Sequence, residues 1–77
     1  MALLIQGKCL LRTLRESARL TQADLSKNLR TFYGVSISVS HLSRIERSER
    51  PMNTIQMRAV CLALRCEEAE LYEWILQ

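Results

Sequence analysis

The sequence predicts an all-α fold of five short helices, folded as a single domain spanning residues 1–77. Two observations carry that prediction. Leu, Arg, Glu and Ala, which favour helices, are abundant, while two Gly and one Pro leave few turns. Apolar residues also recur three and four positions apart in segment after segment, the spacing of one helix face. A hydrophobic content of 48% is globular rather than disordered. A chain this short buries only about 60% of its unfolded surface, so its core is modest and dimerisation would add to it.

The elements follow in order. Leu10, Leu11, Leu14 and Ala18 form the first apolar stripe, with Arg12, Arg15, Glu16 and Arg19 off it, which predicts a helix from about Gln6 to Ala18. Thr21 offers an N-cap hydroxyl, and Asp24 three residues on completes a box-like start. Leu25, Leu29 and Phe32 carry that second helix from Gln22 to about Tyr33, and Gly34 ends it. Val35 to Ile37 read as a β-branched connector. Ser36 and Ser38 both qualify as N-caps for a third helix, with Ser38 the better placed; Leu42 and Ile45 give it a buried face, and it ends near Arg47 or Ser48. Pro51 marks a loop. A fourth helix opens at Met52 or Asn53, with Met57, Val60, Cys61 and Leu64 inward. A fifth is expected over residues 67–76, started by Glu67 and Glu68, whose charge suits a helix N-terminus, and bearing Leu71, Trp74 and Ile75 on one stripe.

Charge is unevenly spread. Residues 1–50 hold nine Lys/Arg against four Asp/Glu, and residues 51–77 hold two against four, so a polyanion should meet the first two-thirds of the chain. Three cysteines without paired spacing argue against a disulfide framework, and Cys9 and Cys61 read as buried thiols. No set of zinc ligands stands at recognisable spacing, so neither metal nor cofactor is expected. One histidine, with no paired acids in a glycine-lined pocket and no phosphate loop, gives an enzyme no support, and no catalytic residue is assigned. The apolar run Met1 to Ile5 is too short for a signal sequence, and nothing approaches the roughly 20 apolar residues of a membrane span, so the expected location is cytoplasmic.

Two short helices joined by a turn, the second with a polar outer face, make a helix-turn-helix over about residues 21–47. Here the residues become informative. Leu20-Thr21-Gln22 with Leu25, then Leu42-Ser43-Arg44-Ile45-Glu46, with Leu14-Arg15-Glu16 upstream and a Leu-rich helix downstream, resemble the Cro/Xre (lambda-repressor-like) family of bacterial and phage repressors from about Leu11 to Leu71. The resemblance implies a five-helix DNA-binding domain whose third helix enters the major groove, which is about 12 Å wide and admits a helix. It places Val39, Ser40, Ser43 and Arg44 against the bases. Arg44 has the chemistry to fork onto guanine O6 and N7. Val39 shares helical spacing with Leu42 and Ile45, and reads equally as core. By the same resemblance Gln22, beside Thr21 at the free N–H groups of the second helix, grips a phosphate, as do Arg47, Arg50 and Asn53 just past the third helix; Arg30 and His41 are weaker candidates. It also pairs Arg15 with Glu46 as a structural ion pair.

The chain departs from the family pattern twice. The spacing from Leu29 to Ile37 is about six residues longer than usual, so the second helix, the loop after it, or both must absorb Thr31–Ser36, and Ser48 stands where a Gly is common. The function expected is that of a transcriptional regulator of phage or mobile-element type, a homodimer on a palindromic double-stranded DNA operator, with Leu71, Trp74 and Ile75 of the fifth helix at the dimer interface. The rival reading is an antitoxin or anti-activator using the same fold, with a protein partner at the acidic C-terminal helix.

Overall fold

The computed structural model describes residues 2–77. The order of elements is β1 (Leu4–Cys9), α1 (Leu11–Ser17), α2 (Gln22–Tyr33), α3 (Val39–Glu46), α4 (Thr54–Leu64), a 3₁₀ turn (Glu68–Glu70) and β2 (Tyr72–Leu76). The domain is thus helical with a two-stranded sheet, and the expected five-helix, all-α architecture is corrected at both ends.

The first helix starts at Leu11 rather than Gln6, because Leu4–Cys9 pairs antiparallel with Tyr72–Leu76. Gly7 helps decide this. A glycine inside a helix costs about 1 kcal/mol relative to alanine, whereas in β1 it is needed: a Cβ there would lie 3.0 Å from the Glu73 Cβ and 3.2 Å from the Ile75 Cδ1. The fifth helix is a 3₁₀ turn followed by a strand. Leu71, Trp74 and Ile75 fit a helical spacing, but Tyr72, Trp74 and Leu76 also alternate with period two, and aromatic and β-branched residues favour strands. With a partner strand at hand, the second pattern wins. The register sets Leu4 against Leu76, Ile5 against Ile75, Gln6 against Trp74 and, past an irregularity, Cys9 against Tyr72. The Leu10 N–H donates to the Leu71 carbonyl, which anchors the ribbon's inner end to the helical body.

The helical boundaries between these ends agree closely with expectation, because each has a local chemical cause. Thr21 and Asp24 form a reciprocal capping box on α2. Gly34, at φ 66°, closes α2 in the left-handed conformation, with its N–H bonded to the Arg30 carbonyl and that of Val35 to the Leu29 carbonyl. The long connection is therefore shared: α2 takes Thr31 to Tyr33, and residues 34–38 make the loop. The Ser26 hydroxyl donates to the Ile37 carbonyl at 2.6 Å, tying that loop back to α2. Ser38 caps α3 by accepting from the His41 N–H. Asn53 and Gln56 form a second capping box on α4.

The core is built from Leu11, Leu25, Leu29, Ile37, Leu42, Ile45, Val60 and Leu71, all but removed from solvent. Each is worth roughly 1.5–3 kcal/mol relative to full exposure. Cys9 and Cys61 are buried as expected, although Cys9 sits at the end of a strand. Leu71 is core and not interface. No helix among the described residues is long and apolar enough to cross a membrane.

Candidate nucleic-acid interface

The third helix owes its position to an ion-pair network. The Arg15 Nε donates to Glu46 Oε2 at 2.7 Å and its Nη2 to Oε1 at 3.1 Å, a two-pronged pairing of α1 with the end of α3. The Arg15 Nη1 also donates to the Leu20 carbonyl at 2.7 Å, just before α2. The Gln22 Nε2 completes the set by donating to Glu46 Oε1 at 3.0 Å. The two charged side chains are 10% and 4% exposed, so water does little to screen them. The hydrogen bond to Glu46 raises the Arg15 pKa against the opposing effect of burial, so the guanidinium keeps its charge. The helices of the helix-turn-helix are thus locked to α1 by charge as well as by Leu25, Leu42 and Ile45.

With Leu42, Ile45 and Glu46 turned inward, the rest of α3 faces out. Val39 is 43% exposed, which removes it from the core. It borders a shallow groove with Arg15, Glu16, Arg19 and the first residues of α2. Ser40 and Arg44 are exposed and Ser43 is half-buried. The four residues expected to face bases therefore share the outer side of one helix. The Ser43 hydroxyl accepts from Arg47 Nη1 at 3.0 Å, so it is already half committed. Arg47 also donates to Glu49 through its Nε at 2.6 Å, an exposed pair that holds the Glu49 carboxyl below its usual pKa.

The residues expected at phosphates flank this face. The Thr21 oxygen accepts from the Asp24 N–H, which leaves the hydroxyl hydrogen to donate. Gln22 spends one amide hydrogen on Glu46 and keeps the other. Asn53 accepts from the Gln56 N–H through Oδ1 at 2.7 Å, leaving its amide hydrogens for an outside acceptor. Arg30 and His41 meet across a hollow of about 420 Å³ at the start of α3, lined also by Ser26, Ser36 and Ser38. Arg50 is exposed in the loop after α3. Two residues absent from the sequence expectations join them: Arg12, in a recess with Gln22, Ser43 and Arg47, and Arg19, in the groove beside Val39. Both were visible as basic residues off the apolar stripe of α1, but only the packing of α1 beside α3 brings them to this surface.

Ser48, the departure after α3, takes the left-handed conformation at φ 62°, where glycine is at ease. The serine has a compensating use, since its Oγ accepts from the Cys9 N–H at 3.1 Å and links the α3–α4 loop to the ribbon. Among the described residues no group of three or more His, Cys, Asp or Glu is placed to hold a metal ion.

No curated protein and no solved structure shows significant similarity to the chain. The sequence profile of a helix-turn-helix domain matches residues 9–74, from the end of β1 to the middle of β2, in keeping with the resemblance of α2 and α3 to the Cro/Xre pattern. With that match covering most of its length, the chain belongs to the helix-turn-helix domain family.

Proposed function

We propose that this protein is a sequence-specific double-stranded DNA-binding regulator of transcription, a repressor or controller acting as a dimer on a palindromic operator. The observation that carries the reading is the division of α3. Leu42, Ile45 and Glu46 hold it to the body, while Val39, Ser40, Ser43 and Arg44 point away from it with basic and amide side chains on either flank. A helix presented in this way suits a major groove, with the flanks on phosphates and the centre on bases. Arg44 supplies the strongest discrimination, a two-pronged contact to guanine worth roughly 1–3 kcal/mol. Thr21, Gln22, Arg30, His41, Arg47, Arg50 and Asn53 contribute affinity without sequence preference, and salt weakens them by returning counterions to the DNA. Arg47 must exchange Glu49 for a phosphate, so its gain is smaller than that of Arg50. In a symmetric dimer the two copies of α3 would reach half-sites about one helical turn, roughly 34 Å, apart.

The rival reading placed a protein partner on an acidic C-terminal helix, and the strand at that position removes the element on which it stood. The test is a gel shift on the DNA upstream of the protein's own reading frame, with random duplex as competitor and Arg44→Ala alongside. Specific binding that Arg44→Ala abolishes, with weak non-specific binding retained, is the expected result. Wild-type protein that prefers no fragment over random duplex would overturn the reading.

A further inference from the structure

The end of α4 brings two of the three cysteines together. On a continuing helix, at about 3.6 residues per turn, Cys61 and Cys66 would point to different sides. The way the helix stops changes this. Arg65 takes the left-handed conformation at φ 54°, and the N–H groups of Arg65 and Cys66 both turn back to the Cys61 carbonyl, the second at 3.0 Å. A helix end closed in this way commonly packs the side chain of its last residue on that of the residue accepting the bond. In this chain both positions of that contact are cysteine.

The two thiols differ in access. Cys61 is 4% exposed and belongs to the core, whereas Cys66 is half-buried and packs against the core from its edge. They are in hydrogen-bonding contact. Burial raises the Cys66 pKa, and the hydrogen bond from the Cys61 thiol works against that rise. For Cys61 the charge of Cys66 and the same hydrogen bond add to burial, and all three push its pKa up. Cys66 is therefore the sulfur that ionises first and that a molecule in solution can reach. A disulfide needs Cα atoms about 4.4–6.8 Å apart and side chains turned toward each other. A main-chain hydrogen bond directly joining the two residues, with their thiols in contact, suits both conditions. Cys9 is no competitor, since it sits at the end of β1 with Tyr72 and Glu46 for neighbours.

We infer that Cys61 and Cys66 form a dithiol modification site, oxidised to an intramolecular disulfide by low-molecular-weight disulfides such as oxidised glutathione. The Cys66 thiolate attacks one sulfur of the oxidant, whose S–S bond breaks, and the first glutathione leaves as a thiolate that takes up the proton Cys66 gave off. The Cys61 sulfur, losing its own proton, then displaces the second glutathione from Cys66. Two protein thiols lose two electrons and two protons, and one oxidant molecule becomes two thiols. Reducing surroundings keep the pair as thiols, and the bond forms as the disulfide share of the thiol pool rises. Its effect is local. It closes the turn between α4 and the acidic 3₁₀ segment, where Arg58 and Glu68 make an exposed pair at 3.4 Å, and pins the chain as it leaves α4 for Leu71 and β2. None of this touches α3, so oxidation is expected with or without a DNA-binding function.

The test is overnight exposure of the reduced full chain to millimolar oxidised glutathione at pH 8, then an acid quench, a thiol count in denaturant and a non-reducing tryptic map. Trypsin cuts after Arg58 and Arg65, so Cys61 and Cys66 fall on separate peptides, 59–65 and 66–77, unless a disulfide joins them. The expected product keeps one free thiol, Cys9, carries no glutathione and yields the joined peptide pair. It should melt about 5 °C or more above the reduced chain. Cys9→Ser should oxidise in the same way and keep no free thiol. Cys66→Ser should yield no joined pair and leave Cys61 reduced. A wild type that keeps three free thiols overturns the inference, as does glutathione retained on Cys66, a bond to Cys9, a bond between two chains, or an oxidised chain that melts no higher than the reduced one.

Discussion

The helical body and the β-ribbon solve the same problem in opposite ways. In α1 to α3 Leu11, Leu25, Leu29 and Leu42 point in, and even the buried charges, Arg15 and Glu46, find partners. In the ribbon Leu4, Trp74 and Leu76 point out and only Cys9 and Tyr72 are covered. The body covers most of its apolar residues itself, and the ribbon leaves most of its own exposed. The lesson is that the stability of the fold is assigned to the body and little of it to the ribbon's outer end, so substitutions in the two parts should fail differently.

The comparison breaks most sharply at the ion pair. Glu46→Ala leaves Arg15 charged and buried with only the Leu20 carbonyl, and should cost about 3–5 kcal/mol of stability. A double-mutant cycle of Arg15 and Glu46 read by chemical denaturation should show strong coupling. Additive losses would mean the pair is not what fixes α3. Leu42→Ala, in the body, should cost about 2–5 kcal/mol, while Leu76→Ala should leave the unfolding of the monomer unchanged within about 0.5 kcal/mol. Equal losses at the two sites would erase the distinction between body and ribbon.

A smaller effect comes from pH. Burial pushes the Cys61 thiol from 9.0 up to about 12. The unfolded chain ionises first, so stability is full below pH 9 and declines as pH rises from there toward 12. Melting curves should show this alkaline fall in the wild type and a shallower one in Cys61→Ala at matched starting stability. The smallest effect is expected at Arg65, which ends α4 at φ 54°. Replacing it with glycine removes a left-handed strain of about 1–2 kcal/mol but adds chain entropy to the unfolded state. A net gain near 0.5 kcal/mol should appear as a slightly higher melting temperature.

The parts of the fold that were legible in the sequence have local causes. Thr21 with Asp24, Gly34, and Ser38 before His41 each settle a helix boundary within a few residues, and the structure places those boundaries where the capping chemistry requires. The Arg15–Glu46 pair was legible because the family pattern marks both positions. What was not legible depends on contacts between distant segments. Residues 71–76 carry both a helical and an alternating pattern, and only the arrival of residues 4–9, more than sixty positions away, chooses between them. The same pairing turned a presumed helix start into β1 and moved Leu71 from interface to core. Arg12 and Arg19 escaped for a related reason, since their place beside α3 follows from the packing of α1 and not from any motif.

The claim at the centre of this account is that α3 reads bases while its flanks grip the backbone. It is tested most directly by measuring the affinity of wild type, Arg44→Ala and Arg50→Ala for an operator and for every single-base-pair variant of it, at fixed salt. Arg44→Ala should lose discrimination at one base pair in each half-site, by about 1–3 kcal/mol, and leave the other positions as they were. Arg50→Ala should weaken all the variants by a similar factor and flatten the salt dependence by about one unit of slope. Uniform weakening by Arg44→Ala, with no base pair singled out, would contradict the assignment of the α3 face to the major groove.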